Sequence, residues 1–316
     1  MSHAMQTQIS VALVGARGYV GDELIKLLDQ HPIFELKLAA SRSKQGQPIE
    51  GYSKSDLYYQ DATPEQVAEG KYELIFLALP NGLAQTYVNE IDSLSSHSVV
   101  VDLSADYRFD KNWHYSLPEL MQETAHKRIS NPGCYATAMQ LSLAPLIAFL
   151  DGAAHCFGVS GYSGAGTSPS DKNNPELLEN NLIPYQLSEH LHEKEVSHHL
   201  NTDVKFTPHV ASFFRGISMT THITLQQPMS LDEVIEKFQH FYQQHSLIEV
   251  REAIPLVKEV QSKVSVIIGG FKLDHSGKHL VVCCVLDNLL KGAAVQALQN
   301  ANQAFNLNSL EAISYD

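Results

Sequence analysis

The sequence predicts an α/β protein: a doubly wound parallel sheet, followed by an α+β domain whose sheet is mainly antiparallel. Three observations predict it. A short strand runs into a glycine turn and a helix near the start of the chain. Continuous apolar runs that stop on polar loops follow. After residue 134 the pattern changes to longer β-like segments.

The first run, Ile9-Ser10-Val11-Ala12-Leu13-Val14, is apolar and β-rich and ends on Gly15-Ala16-Arg17-Gly18-Tyr19-Val20-Gly21. A helix follows, with Leu24, Ile25, Leu27 and Leu28 on its apolar side. Glycines at this GxxGxxG spacing let the backbone turn tightly and approach a pyrophosphate at the positive end of the helix, as in a Rossmann-type dinucleotide-binding unit. Gly15, Arg17, Gly18, Tyr19 and Val20 are therefore candidate cofactor contacts. The second strand, Glu35 to Ala40, ends on Ser41-Arg42-Ser43, where an NAD-specific protein more often places an acidic residue for the ribose 2′-hydroxyl. Ser41 and Arg42 suit a 2′-phosphate, which favours NADP. The runs Leu74 to Leu79 and Ser98 to Leu103 read as parallel strands covered on both faces. They stop at Pro80-Asn81-Gly82 and at Ser104-Ala105-Asp106, so the Pro80 loop and the Ser104-to-Arg108 loop are expected at the cofactor crevice.

Beyond Cys134, β-like segments appear at Ala153 to Ser160, Val204 to Thr207, Ser218 to Leu225, Val264 to Lys272 and His279 to Leu286. The polar stretch Gly161 to Glu195 is too long for a tight turn and reads as a functional loop or interface segment. The run Asp287 to Ala294 enters an Ala/Leu/Gln-rich helix reaching about Phe305, with Asp287 or Asn288 as its cap.

Composition narrows the function. The 316 residues are 44% hydrophobic and 18% charged, ordinary for a globular chain long enough for two domains. Lys and Arg number 22 against 35 Asp and Glu, a net charge of −13, and no basic block is present. Nucleic acid is excluded as a partner because binding its backbone needs a positive face. An anionic substrate must be held by individual Arg or Lys residues. No run approaches the roughly 20 apolar residues that span a bilayer, and no secretory signal is visible, so no membrane partner and a cytoplasmic location are expected. Met1 to Met5, with two possible starts, looks like a remnant of cloning. The cysteines Cys134, Cys156, Cys283 and Cys284 form no CxxC pair, which predicts reduced thiols and no metal site.

Cys134 follows Asn131-Pro132-Gly133 and begins a stretch of good helix formers, so its thiol belongs to a first helical turn. Backbone N–H groups and the helix dipole there favour a thiolate, which marks Cys134 as a nucleophile. The other three cysteines lie in apolar strands and read as small buried hydrophobes. His209 ends the strand Phe206-Thr207-Pro208-His209 and is followed by Phe213-Phe214-Arg215-Gly216, so an imidazole and a guanidinium share one connection. A general acid/base beside an anion-binding Arg suits acyl-phosphate chemistry. The loop Ser160 to Thr167, with Ser163 and Gly164, is rich in small residues that allow close approach to a cofactor or an oxyanion. His190, His192 and Glu195 lack a further strong ligand motif, which favours a substrate or interface role over zinc.

Assembled, these residues resemble the N-acetyl-gamma-glutamyl-phosphate reductase family of arginine biosynthesis along nearly the whole chain. The resemblance rests on Gly15 to Gly21, Asp102-Leu103-Ser104-Ala105-Asp106-Tyr107-Arg108-Phe109, Leu117-Pro118-Glu119-Leu120, Asn131 to Tyr135, Ser160 to Gly166, Thr207-Pro208-His209, Arg215-Gly216 and Asp287 to Ala294. It implies a fold like glyceraldehyde-3-phosphate and aspartate-semialdehyde dehydrogenases, with the last helix returning to the first domain. Residues 6–133 with 288–316 would bind NADP, and 134–287 would carry catalysis and oligomerisation, giving a homo-oligomer, dimer or tetramer. Cys134 would be the nucleophile and His209 the acid/base, with Asn288 at the nicotinamide carboxamide. Arg108, Arg215 and His190 would contact a small acyl-phosphate substrate. The implied reaction is NADPH-dependent reduction of N-acetyl-gamma-glutamyl phosphate to N-acetylglutamate 5-semialdehyde through a thioester on Cys134.

Two departures stand out. His190-Leu191-His192 replaces a common His-Arg-His and removes a possible anion contact, and Val295 stands where many members have Gly. The nearest alternative is an aspartate-semialdehyde dehydrogenase-like reductase, whose nucleophile segment usually reads Asn-Cys-Thr. A non-catalytic NADP-binding regulator would not need both Cys134 and His209. A cysteine hydrolase would not need the glycine turn.

Overall fold

The computed structural model describes residues 8–121 and 125–315, so the Met1 to Met5 segment lies outside it. The chain divides into two compact units, one running to Pro132 and joined by Ala293–Ser314, the other spanning Gly133–Gly292.

The first unit holds β1 (Ile9–Val14), β2 (Phe34–Ala40), β3 (Leu74–Leu77), β4 (Val99–Asp102), β5 (His114–Tyr115) and β6 (Arg128–Ser130). They form one wholly parallel sheet in the order β2-β1-β3-β4-β6-β5. Strands β3 and β4 are buried along their whole length, the reason their sequences read as unbroken apolar runs. Strand order reverses at β1, with β2 on one side and β3 on the other, which makes the carboxyl ends of these strands the place for a ligand. The helix Tyr19–Gln30 buries Leu24, Ile25 and Leu28. The final helix, Val295–Ala304, returns to pack against β4 and the Tyr19–Gln30 helix.

That last helix is buried from Val295 through Asn302, amides included. Buried amides need partners. Asn300 Nδ2 donates to the Ser116 carbonyl and to Asn131 Oδ1, each at 3.0 Å. Asn302 Nδ2 donates to the carbonyls of Ser309 and Glu311. The helix begins later than the sequence suggests. Leu290–Ala294 forms a wide π turn, because Gly292 N–H reaches back to the Asp287 carbonyl at 2.9 Å.

The second unit holds β7 (Ala154–Gly161), β8 (Leu182–Pro184), β9 (Val204–Ala211), β10 (Ile217–Thr224), β11 (Ile248–Val250), β12 (Val266–Leu273) and β13 (His279–Leu286). The sheet order is β11-β12-β13-β10-β7-β9-β8. The β11/β12 and β7/β9 pairs are parallel and the others antiparallel, so the sheet is mixed with an antiparallel majority. The helix Cys134–Leu143 lies on β10 and β13. Strand β9 runs on past Thr207 to Ala211, which places His209 inside the strand and not at its end. Pro208 is tolerated there although it donates nothing to the ladder, and its carbonyl accepts the Tyr185 N–H at 3.3 Å. No helix among the described residues is long and apolar enough to cross a membrane.

His31 is fully buried in the first unit. Its Nδ1 accepts the N–H groups of Ile33 and Phe34 at 3.1 and 2.9 Å, so Nε2 carries the proton and donates to Asn302 Oδ1 at 2.9 Å. Burial lowers its pKa from 6.5 to about 4. The unfolded chain takes up a proton near 6.5 that the folded chain refuses until about 4, so this stabilisation is complete above 6.5 and is lost as pH falls through the window. The loss amounts to about 3 kcal/mol. In urea unfolding at pH 7 and pH 4.5, the stability advantage of the wild type over His31→Asn is expected to shrink by about 2 to 3 kcal/mol. Parallel pH dependence of the two proteins would show that His31 does not titrate this way.

Candidate active site

Gly133 stands at the N-cap of the Cys134–Leu143 helix with extended backbone, φ −72° and ψ 153°, and no side chain caps the helix. Its N–H donates to Glu195 Oε1 at 2.9 Å, and Glu195 is fully buried. Its carbonyl accepts both the N–H and the hydroxyl of Thr137, at 2.8 and 3.0 Å. Every residue from Tyr135 to Leu143 is buried, whereas Cys134 is half-buried. The thiol thus occupies the exposed first position of an otherwise enclosed helix, in the field of its N-terminus. On its other side lies Gly292. A Cβ at that position would sit 2.8 Å from Cys134 Cβ, so the approach requires glycine. Burial pushes the Cys156 and Cys284 thiols up to about 12, which keeps them protonated and inert.

The residue after Cys134 holds the His209 backbone. Tyr135 Oη donates to the His209 carbonyl at 2.6 Å, and His209 is paired through β9 with Val159 on one side and Pro184 on the other. The His209 ring lies 4.5 Å from that of Phe157. Its Nδ1 is buried and has no hydrogen-bond partner among the described residues. Burial pushes the phenols of Tyr135 and Tyr185 upward, and the charge of Cys134 adds to both shifts. Cys134, Tyr135, Tyr185 and His209 therefore form one constellation in the second unit.

His190 joins it through its ring, 6.4 Å from Tyr135 and 5.7 Å from Tyr185. Its Nδ1 accepts the His192 N–H at 3.1 Å and caps the helix Leu191–His199. Burial, with the nearby Lys172 charge adding, lowers its pKa to about 4, so near neutral pH His190 is an uncharged group and not a cation for an anion. Glu195 lies on the same helix and holds the Gly133 peptide.

The two arginines expected at the substrate are engaged with the protein. Arg108, buried in the first unit, donates through Nε to the Asn131 carbonyl at 3.1 Å and through NH2 to the Leu103 carbonyl at 3.3 Å. Arg215 makes a two-point ion pair with the fully buried Asp287, Nε to Oδ2 at 2.5 Å and NH2 to Oδ1 at 3.0 Å. Asp287 Oδ1 also accepts the N–H groups of Leu289 and Leu290, so Asp287 is the residue that caps the π turn. Asn288 accepts the Gly216 N–H at 2.7 Å and donates to Ser163 Oγ at 2.9 Å. Gly164 lies beside it, with a hypothetical Cβ 3.8 Å from Asn288 Nδ2. Ser163, Gly164 and Asn288 are thus neighbours in space.

In the first unit the glycine turn has a steric cause. Gly15 has φ +83°, and a Cβ there would come within 2.1 Å of the Ala78 carbonyl oxygen. Gly18 is the N-cap of the Tyr19–Gln30 helix, which no side chain caps, and Tyr19 and Val20 open it; Arg17 is exposed beside the turn. At the end of β2, the Ser41 hydroxyl is buried with no partner, next to the exposed Arg42. An orphaned hydroxyl beside a free guanidinium fits a phosphate acceptor. The Pro80 loop is tied to the Ser104-to-Arg108 loop: Asp106 accepts the N–H groups of Gly82 and Ala84, and Asn81 accepts that of Ala105. Both loops follow the carboxyl ends of adjacent strands, as the sequence implied.

Residues 10–128 match the family model of the semialdehyde dehydrogenase NAD binding domain, and residues 134–288 that of the semialdehyde dehydrogenase dimerisation domain. The chain is 49% identical, over 97% of its length and 98% of the relative's, to the N-acetyl-gamma-glutamyl-phosphate reductase of Xanthomonas euvesicatoria pv. vesicatoria (strain 85-10). It is 48% identical to the reductase of that name from Xylella fastidiosa (strain M23), covering 97% of this chain and 95% of the other. Among solved structures, aspartate semialdehyde dehydrogenase II from Vibrio cholerae, complexed with ASA, aligns with TM-score 0.78 at 19% identity, over 95% of this chain and 99% of that one. The Candida albicans aspartate semialdehyde dehydrogenase with NADP aligns with TM-score 0.69 at 16% identity, over 94% and 99%. These structural likenesses establish the fold. The full-length relatives establish more: the chain belongs to the N-acetyl-gamma-glutamyl-phosphate reductase family.

Proposed function

We propose that the chain is a cytoplasmic, homo-oligomeric enzyme that reduces N-acetyl-gamma-glutamyl phosphate to N-acetylglutamate 5-semialdehyde and phosphate with NADPH, through a thioester on Cys134. The observation that carries the chemistry is the Tyr135-to-His209 hydrogen bond at 2.6 Å, which ties the backbone of an imidazole with an orphaned nitrogen to the residue following a helix-start thiol. The substrate follows from the full-length relatives. The likeness to aspartate semialdehyde dehydrogenases is one of fold.

In this reading the Cys134 thiolate attacks the acyl-phosphate carbonyl and phosphate departs. N–H groups of the first turn of the Cys134–Leu143 helix stabilise the oxyanion. The nicotinamide cofactor, when bound, supplies the hydride. His209 donates a proton to the oxygen of the reduced cysteine adduct and withdraws it as the aldehyde forms and the thiolate leaves. The first unit binds NADP: Gly15, Arg17, Gly18, Tyr19, Val20 and Pro80 at the diphosphate end, and Ser41 with Arg42 at the 2′-phosphate. Ser163, Gly164 and Asn288 serve the nicotinamide end. Arg108 and Arg215 brace the protein through the donors they give Asn131, Leu103 and Asp287, and their remaining N–H groups serve the anionic groups of the substrate. Oligomerisation through the second unit is supported by its match to a domain described as a dimerisation domain and by the exposed Phe157 on β7.

Cys134→Ser is expected to abolish phosphate-dependent NADP reduction by N-acetylglutamate semialdehyde while NADPH binding, followed by fluorescence titration, stays close to wild type; appreciable turnover would refute the nucleophile. Arg42→Ala should raise the Michaelis constant for NADPH by roughly tenfold or more, the worth of a charge-assisted hydrogen bond, and leave that for NADH unchanged. An unaltered NADPH/NADH preference would show that Arg42 does not read the 2′-phosphate. Gly292→Ala should displace Cys134 and lower kcat on the order of a hundredfold. Wild-type kcat in that variant would mean that the close approach has no bearing on the thiol.

A further inference from the structure

The substrate proposed above carries an acyl phosphate at one end and a carboxylate at the other, in a chain with a net charge of −13. A cation must meet at least one of them. Arg108 and Arg215 hold parts of the protein, and His190 is neutral near physiological pH. Leu191 contributes no charge between the two histidines.

Lys172 is placed differently. Its ammonium lies 4.7 Å from the centroid of the Tyr185 ring. The Tyr185 phenol is close enough to Tyr135, the residue after Cys134, for the two to affect each other's ionisation, and its ring is 5.7 Å from that of His190. Among the described residues no carboxylate pairs with Lys172. The backbone that presents it is fixed. Asn173 Nδ2 donates to the carbonyls of Gly166 and Ser168 at 2.9 and 2.8 Å, Asn173 Oδ1 accepts the Ser170 N–H at 2.8 Å, and Asn173 N–H donates to the Ser170 carbonyl at 3.1 Å. The same loop begins with Ser163 and Gly164. A half-buried lysine on a locked turn, resting on an aromatic face, keeps its N–H donors directed at a limited region. That region adjoins the two tyrosines and His190 around the nucleophile.

We propose that Lys172, seated over Tyr185 beside Tyr135 and His190, is a substrate-anion receptor of this chain. The group it receives is an oxyanion, either the phosphoryl group or the glutamyl carboxylate. The inference rests on the acyl-phosphate reading, so its test separates the two.

The assay runs in the oxidative direction with N-acetylglutamate semialdehyde, inorganic phosphate and NADP, on wild type, Lys172→Met and Lys172→Arg, each checked by circular dichroism and thermal melting. Methionine keeps the apolar stem over Tyr185 and removes the charge. Lys172→Met is expected to raise the Michaelis constant for phosphate or for the semialdehyde by about tenfold or more, with kcat and the constant for NADP changed by less than about threefold. A rise for phosphate assigns the phosphoryl end, and a rise for the semialdehyde assigns the carboxylate. Lys172→Arg, which preserves the charge, should recover most of the lost affinity. Both constants within about twofold of wild type in Lys172→Met, or a fall in kcat alone, would overturn the proposal. Wild type without turnover on this substrate would overturn the acyl-phosphate reading itself, and the role of Lys172 with it.

Discussion

The seat of Cys134 is the constraint on which the rest of the second unit depends. A helix can present a reactive group at its first position only if its entry peptide is held and the following turns are enclosed. Here Glu195 holds the Gly133 N–H, Thr137 closes on the Gly133 carbonyl, and everything from Tyr135 onward is buried. The side of Cys134 that faces Gly292 admits no side chain. Gly292 in turn is placed by the π turn, which Asp287 caps and Arg215 neutralises. A buried carboxylate with a two-point guanidinium partner and three backbone donors, from Leu289, Leu290 and Ser262, is satisfied, whereas removing either charge would strand the other. An ordinary helical entry would shift the register of Gly292, so the π turn has a steric purpose at this site.

The same economy of groups explains the electrostatics. A strongly acidic chain that handles an anion must separate structural cations from working ones. Arg108 and Arg215 each give donors to the protein, Arg108 to carbonyls and Arg215 to a buried carboxylate. Among the described residues, Arg42 stands exposed beside the orphaned Ser41 hydroxyl, and Lys172 lies over the Tyr185 ring with no carboxylate partner. His190 is removed from the charged set by burial, and His209 keeps an unpartnered ring nitrogen. Each assignment follows from what the side chain already touches.

Much of this was legible in the sequence. Continuous apolar strands stopping on Pro80 and Ser104 announced a parallel sheet, and the glycine at position 15 announced a turn that only a residue lacking Cβ can make. The helix start at Cys134 was visible from Pro132-Gly133. What was not legible depends on contacts distant in sequence. Nothing near His209 shows that β9 continues through Pro208 to Ala211, because that extension is held by pairing with β7 and β8. The carbonyl and carboxylate that Arg108 and Arg215 also bind lie far along the chain and leave no local trace in the sequence. Glu195 read as part of a histidine cluster, and only the fold reveals its bond to Gly133. Tyr135 appeared only as the end of the Asn131 to Tyr135 motif and Lys172 not at all, for their significance lies in the rings and carbonyls they meet.

The central claim is that substrate carbon becomes covalently attached to the Cys134 sulfur. Its most direct measurement is intact-protein and peptide mass spectrometry of the enzyme quenched in acid after mixing with N-acetyl-gamma-glutamyl phosphate in the absence of NADPH. The account predicts one N-acetylglutamyl group per chain, on the peptide containing Cys134 and removable by hydroxylamine. Turnover-competent enzyme that accumulates no adduct, or carries it on another residue, would contradict it.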